Sequence, residues 1–292
     1  MKGIILAGGS GTRLYPMTRA TSKQLLQVYD KPMIYYPLSV LMSSNIKDIL
    51  IITTEEDQDG FKRLLGDGSQ FGINLEYIIQ PSPDGLAQAF ILGEEFIGDD
   101  SCAMVLGDNI FYGAELSRKL EEARKNADDG YATIFGYQVH DPERFGIMEF
   151  DEDKNVVGVE EKPENPKSDY AITGLYFYPK GVSGKAKLVK PSPRGELEIT
   201  DLNKLYLDEK RLKAELLGEG YTWYDTGTPD SMMEAANMIK SIQKNGDRVI
   251  CCPERIAHKN NWIDDNELMN SAELMRKNNY GKYLKKVIDK TK

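Results

Sequence analysis

Three cysteines and two histidines among 292 residues leave few groups for soft-metal or imidazole chemistry. Cys102, Cys251 and Cys252 include a vicinal pair but no C-x-x-C spacing, and His140 and His258 lie far apart in the chain, which excludes a structural zinc site. A Ser-His-Asp or Cys-His hydrolase is poorly served too, because each histidine would have to meet a nucleophile through folding alone. No apolar run approaches the roughly 18 residues of a membrane span, and the opening MKGIILAGG is too short for a signal-peptide core. These absences predict a protein of the reducing cytoplasm with no membrane partner. Positive charge is also in deficit. With 37 Lys and Arg against 46 Asp and Glu the net charge is -9, which argues against nucleic acid as a partner. A phosphate-bearing ligand must then be held by a local basic cluster and backbone amides. Gly 26 and Pro 13 are ordinary, so neither a fibrous repeat nor a disordered linker is indicated, and the length suits one large or two modest domains.

Short aliphatic runs at Gly3 to Ala7, Asp48 to Thr53, Leu75 to Gln80 and Cys102 to Leu106 predict buried parallel strands. Helical spacing lies between them: Ile34, Leu38, Leu41 and Met42, then Phe61, Leu64 and Leu65, then Leu86, Phe90 and Phe96. Alternating strands and helices imply a doubly wound sheet, whose ligands sit beyond the carboxyl ends of the strands. After a helix over Leu116 to Ala127, strands are predicted at Tyr131 to Val139, Gly146 to Phe150, Val156 to Glu160 and Ala171 to Tyr178. Further helices are predicted at Ile199 to Leu207, Asp230 to Ile242 and Glu267 to Lys277.

The first strand runs into Gly8-Gly9-Ser10-Gly11-Thr12-Arg13-Leu14. Three glycines in four positions let backbone N–H groups converge into an anion nest. A dinucleotide fingerprint would need glycine where Leu14 stands and an acid closing the second strand, where Thr53-Thr54 is found; a Walker A ending is absent. What remains is a nest followed by two cations, Arg13 and Lys23, able to track a polyphosphate, or else simply a tight turn. Asp108 follows the fourth strand, where a carboxylate can bind Mg²⁺ or cap a turn. Asp225 ends the aromatic run Trp223-Tyr224 and can serve the same ion or cap the helix near Pro229. Two acids at strand ends beside a phosphate nest favour a metal-assisted phosphate site. Gln80 and Gly85 border a proline-stiffened loop in which an amide can read a base edge. Glu161 and Lys162 end a strand with opposite charges suited to sugar hydroxyls and a phosphate. Arg194, at a loop-to-helix entry, is either free to reach an anion or part of a plain helix start whose acids favour the dipole.

GGSGTRL, SKQLL at 22–26, YDKPMIYYPLS at 29–39, QPSPDGLAQAF at 80–90 and VLGDNIFYG at 105–113, with EEKP, GLYFY, PSPRGELEITD and WYDTGT further on, cover nearly the whole chain. In these motifs the sequence resembles the glucose-1-phosphate thymidylyltransferase family. The resemblance implies a Rossmann-like mixed, mostly parallel sheet with helices on both faces, small β insertions and a helical C-terminal part, in an assembly that is usually a homotetramer. It implies a nucleotidyltransferase core over 1–229, with a nucleotide-binding part over 1–112 and a sugar-phosphate-binding part over 113–229. Residues 230–292 would form a surface for assembly and regulation. It further implies that dTTP and glucose 1-phosphate give dTDP-glucose and pyrophosphate, the entry to dTDP-L-rhamnose and related deoxysugars. By the same resemblance Gly8, Gly11, Thr12 and Arg13 hold the triphosphate with Lys23 nearby, while Gln24, Gln80 and Gly85 recognise the nucleoside. Asp108 and Asp225 share Mg²⁺, and Gly146, Glu161, Lys162, Ile172, Tyr176 and Arg194 bind the sugar phosphate beside Trp223.

Two departures, Gln27 where proline is usual and Pro229 where histidine is common, remove none of these residues. At a stretch associated with feedback by dTDP-rhamnose, this chain has Arg255, His258 and Lys259 where the family tends to have Glu, an aromatic and Arg. A noncatalytic nucleotide-sugar sensor or a uridylyltransferase would need nearly the same residues; the two acids together favour an enzyme.

Overall fold

The computed structural model describes residues 1–9, 11–246 and 249–291. Its centre is a nine-stranded sheet. In chain order the strands are β1 (Lys2–Ala7), a short ribbon of β2 (Gln27–Val28) and β3 (Lys31–Pro32), β4 (Asp48–Thr53), β5 (Asn74–Ile79), β6 (Cys102–Leu106) and β7 (Asn109–Gly113). They continue with β8 (Ala132–Gln138), β9 (Gly146–Phe150), β10 (Val156–Glu161), β11 (Tyr170–Tyr178), β12 (Leu212–Leu217) and β13 (Tyr221–Asp225). Strands β5, β4, β1 and β6 lie side by side and parallel in that order, as the aliphatic runs predict. The chain winds outward from β1 through β4 to β5 and then returns to β6 on the other side of β1. The order therefore reverses beside β1, and a crevice opens beyond the carboxyl ends of β1 and β6.

Alternation along these strands makes two hydrophobic layers. Ile5, Ala7, Ile49, Ile51, Ala103 and Val105 face α1 (Tyr35–Ser43), α2 (Gln58–Leu65) and α5 (Leu116–Asp128). Ile4, Leu6, Leu50, Ile52, Cys102 and Met104 face α3 (Gln88–Leu92), α4 (Glu94–Ile97), α6 (Val182–Ala186) and α7 (Ile199–Asp208). Each fully buried Ile or Leu stabilises the fold by about 2 kcal/mol. The helical spacing from Leu86 to Phe96 resolves into two short helices because Gly93 breaks it. A Cβ there would lie 3.1 Å from the Ala89 carbonyl and 3.1 Å from Leu50.

Beyond β6 the sheet becomes antiparallel. The nine-residue β11 pairs with both β6 and β8, β9 pairs with β10, and β12 runs parallel to β8. A separate ribbon joins β7 to β13 with Asn109 opposite Asp225 and Phe111 opposite Trp223. Neither β7 nor β12 is foreshadowed by alternating polarity. The chain ends in α8 (Pro229–Gly246), α9 (Pro253–Lys259), α10 (Asp265–Leu274) and α11 (Asn279–Thr291). Ala235 and Ile239 of α8 pack on Val28, Met33, Tyr36 and Ile110. Helix α10 starts before the predicted Glu267 and stops short of Lys277, because Asp264 and Glu267 form a reciprocal capping box at its start. Among the described residues no helix is long and apolar enough to cross a membrane.

Candidate active site

At the reversal of strand order the carboxyl ends of β1 and β6 feed two cavities that meet. One, of about 360 Å³, is lined by Gly8, Gly9, Arg13, Lys23, Gln24 and Gln80 among others, with Gly85 and Asp108 also on its wall. The second, of about 550 Å³, is lined by Gly146, Glu161, Lys162, Ile172, Tyr176 and Arg194, with Trp223 and Asp225. Arg13 and Asp108 belong to both walls. Gly11 and Thr12 line neither cavity, and Ser10 lies outside the described residues.

Away from its charged junction with the second, where Arg13, Lys23, Asp108 and Glu196 stand, the first cavity is built largely from main chain and amides. Gly8 lets Gln80 come close, since a Cβ there would sit 2.3 Å from Oε1 of Gln80 and push its amide aside. Gly85 takes φ +104°, and a Cβ there would lie 2.4 Å from the Leu197 carbonyl. That approach is fixed from both sides, with Leu197 N–H donating to the Asp84 carbonyl (2.7 Å) and Ala87 N–H to the Leu197 carbonyl (3.1 Å). Gln80 Nε2 donates to Gln88 Oε1 (2.7 Å), and Gln88 Nε2 donates to Asp84 Oδ2 (2.8 Å), so the Gln80 amide is held in one orientation. Gln24, 1% exposed, reaches the Gly8 carbonyl with its Nε2 at 3.4 Å.

The two acids at the junction are placed by the β7–β13 ribbon. Thr226, just past β13, donates both its N–H (3.0 Å) and its hydroxyl (2.6 Å) to the Asp108 carbonyl. Asp108 pairs with Lys23 and accepts from Asn109 Nδ2 at 3.0 Å. Burial opposes its charge, but the Lys23 ammonium and the Asn109 amide outweigh burial and hold the carboxyl below the ordinary range. Asp225 moves the other way, raised by burial and then by the charge of Asp108, against the weaker pull of Lys23, Arg13 and Arg144. Two carboxylates close enough to perturb one another, bordered by Arg13 and a glycine turn, suit a hard divalent cation that shares its remaining positions with phosphate oxygens and water. Among the described residues no group of three or more His, Cys, Asp or Glu is placed to hold a metal, so any such ion needs its ligand to complete the shell.

The second cavity is built from charge. Thr200 Oγ1 donates to Glu161 Oε2 at 2.6 Å, and Gly146 lets this pair come close, since a Cβ would lie 3.1 Å from both oxygens. Lys162 follows at φ +44°, its N–H donating to the Phe145 carbonyl (3.0 Å) and its Nζ 3.8 Å from Glu161 Oε1. Arg194 corrects the reading as a free cation. Its Nη2 lies 2.9 Å from Glu198 Oε1, 3.5 Å from Glu161 Oε1 and 3.6 Å from Glu196 Oε2. A guanidinium beside three carboxylates satisfies its donors locally, so an incoming anion must compete for it.

Sequence reasoning missed the residue that ties both halves together. Asn109, 2% exposed, accepts from Gly174 N–H (3.0 Å) and Trp223 Nε1 (2.6 Å) through Oδ1 while its Nδ2 donates to Asp108. Its position beside Asp108 in the motif was the only signal. Glu196, Glu198 and Arg144, none of them singled out from the sequence, also line the larger cavity.

Comparison with known proteins agrees with this geometry. A profile described as nucleotidyl transferase matches residues 2–242. A glucose-1-phosphate thymidylyltransferase of Neisseria meningitidis is 58% identical over 290 residues, covering 99% of this chain and all of that protein. One from Mycobacterium tuberculosis is 50% identical with the same coverage. The crystal structure of a Bacillus anthracis protein assigned as a glucose-1-phosphate thymidylyltransferase, in complex with a sucrose, superposes with a TM-score of 0.75. It is 42% identical, and the match covers 82% of this chain and 94% of that one. With the strand-end acids, the glycine turn and full-length identity in agreement, the chain belongs to the glucose-1-phosphate thymidylyltransferases of the nucleotidyl transferase family.

Proposed function

We propose that this chain transfers a thymidylyl group from dTTP to α-D-glucose 1-phosphate, giving dTDP-glucose and pyrophosphate. The observation that carries the reading is that Arg13 and Asp108 line both cavities, so ligands in the two would meet at these side chains. The amide-lined cavity suits an uncharged base, read by Gln24, Gln80 and the backbone at Gly85. The turn from Gly8 through Gly11, Thr12 and Arg13, with Lys23, suits the triphosphate. The charged cavity suits a sugar phosphate, with Glu161 accepting from hydroxyls, Lys162 and Arg194 on the phosphate, and Gly146, Ile172, Tyr176 and Trp223 shaping the pocket.

The reaction needs no histidine. The nucleophile is a phosphate oxygen whose second pKa, about 6, leaves it ionised at neutral pH. It forms a bond to the α-phosphorus as the bond to the β-phosphate breaks in line, and pyrophosphate carries the electron pair away along Arg13. Two polyanions must be brought together, so positioning and charge neutralisation supply most of the barrier reduction. Asp108 and Asp225 fit Mg²⁺, which when bound would supply further charge neutralisation. Lys162 orients the attacking phosphate, and Arg13 holds the leaving group.

In this reading residues 1–112 hold the nucleotide, residues 113–229 the sugar phosphate, and 230–292 an assembly and regulatory surface of a cytoplasmic homotetramer that feeds dTDP-L-rhamnose and related deoxysugars. A further cavity of about 280 Å³ beside Phe111, Gly113, Arg255 and Lys259 is where feedback by dTDP-rhamnose would act. The test is pyrophosphate release with Mg²⁺ and glucose 1-phosphate across dTTP, UTP, CTP, ATP and GTP. Release led by dTTP and cut steeply by Asp108→Asn is expected. Preference for UTP would reassign the base, and binding of dTDP-sugars without release from any nucleotide would make the protein a sensor.

A further inference from the structure

On another face, a cavity of about 650 Å³ lies among the β2–β3 ribbon, the end of α8 and α11. Lys240 and Lys244 line it from α8, and Lys282 and Lys286 from α11. Each helix thus sets two lysines four residues apart, a like-charge spacing that weakens the helix carrying it. Both pairs face one space in a protein of net charge -9. Among the described residues Lys240, Lys244 and Lys282 have no ion-pair partner. The carboxylate on this wall, Asp30, is already engaged by Lys31 Nζ (2.6 Å) and by Gln243 Nε2 (2.7 Å). Tyr29 stands on the wall at φ +61°, a left-handed conformation unusual for a bulky residue, with its ring 41% exposed.

Three of these ammonium groups have no ion-pair partner and the one acid among the described lining residues is spoken for, so the described wall carries a local positive field that a multiply charged anion would relieve. We propose that this cleft is a second ligand site, separate from the active-site cavities, for a polyphosphate chain, either free or carried by a nucleotide. The lysines take the phosphate oxygens as point charges, and Tyr29 and Tyr283 on the same wall offer ring faces to a base when one is attached.

Binding is read without turnover, so this proposal stands or falls apart from thymidylyl transfer. The full chain carrying Arg13→Ala, which disables the active-site anion contact, is titrated calorimetrically with inorganic tripolyphosphate at about 50 mM salt, where screening is weak. One equivalent of tripolyphosphate is expected to bind. Adding Lys240→Gln and Lys244→Gln, and separately Lys282→Gln and Lys286→Gln, should weaken it by roughly tenfold or more in each case. At these exposed positions the circular dichroism spectrum should hold and Tm should not fall, since the like-charge spacing is relieved, which keeps folding apart from binding. No binding to the Arg13→Ala protein, or binding indifferent to both lysine pairs, would overturn the proposal. Titration with dTTP separates the sources. Affinity equal to tripolyphosphate marks a free chain, whereas tighter dTTP binding that Tyr29→Ala removes marks a nucleotide.

Discussion

The two cavities at the sheet end are neighbours made of different materials. The Gly8–Gln80 side presents main chain and neutral amides, with Gln80 locked by Gln88 and Gln88 by Asp84. The Glu161–Arg194 side presents ions that compensate one another, with Arg194 shared among Glu161, Glu196 and Glu198. An uncharged heterocycle is distinguished by donor and acceptor positions, which rigid amides and close backbone supply without a desolvated charge. A dianionic phosphate needs cations, and cations in a cleft must be balanced until their ligand arrives. Asp108 stands where the two styles meet and has one of each as partner, the Lys23 ammonium and the Asn109 amide.

The contrast can be broken at its junction first. Asp108→Asn should cut turnover by about 10²- to 10³-fold in a pyrophosphate-release assay, because it removes charge on which both sides depend. Next, Lys162→Ala should lower kcat/KM for glucose 1-phosphate by about 10²-fold while dTTP binding, followed by calorimetry, stays within about twofold. Equal losses for both substrates would erase the division between the cavities. Beside the junction, Asn109→Leu strands Gly174 N–H and Trp223 Nε1 without an acceptor. Urea unfolding should show a loss of about 2–4 kcal/mol, from two buried donors at 1–2 kcal/mol each. Gly85→Ala should cost about 2 kcal/mol, or roughly 5 °C in Tm by calorimetry, because the left-handed backbone and the Leu197 carbonyl both oppose a side chain.

The smallest effect sharpens the acid pair. Since the pKa of Asp225 is raised in the fold, its contribution to stability is fully present below the ordinary Asp range and is lost as pH rises through the raised value. The metal-free protein carrying Asp225→Asn should therefore match the parent's Tm in acid and exceed it towards neutral pH. A Tm difference independent of pH would show that Asp108 and Asp225 do not repel one another.

Much of this arrangement was legible from the chain because local pattern and global role coincide. The aliphatic runs of β1, β4 and β6 are buried on both faces, so they carry the same signal whatever packs on them. The glycine turn and Asp108 follow directly from strand ends. The ion pairs of Arg194 were not legible because Glu161 lies at the end of a distant strand, and Glu198, four residues on, reads in sequence as a helix-dipole acid. Asn109 was overlooked because nothing local distinguishes an amide that will accept from Trp223 from one that ends a turn. Strand β12 carries Lys213 and Glu215 on an otherwise aliphatic run, and its pairing with β8 is settled by the tertiary fold.

The bond between Trp223 and Asn109 spans 114 residues of sequence. A loop of that length must close before the ribbon forms, and such closures come late because their entropy cost precedes their reward. In the proposed reading, activity requires this closure: a chain truncated before β13 carries the glycine turn and one acid, but not the pair.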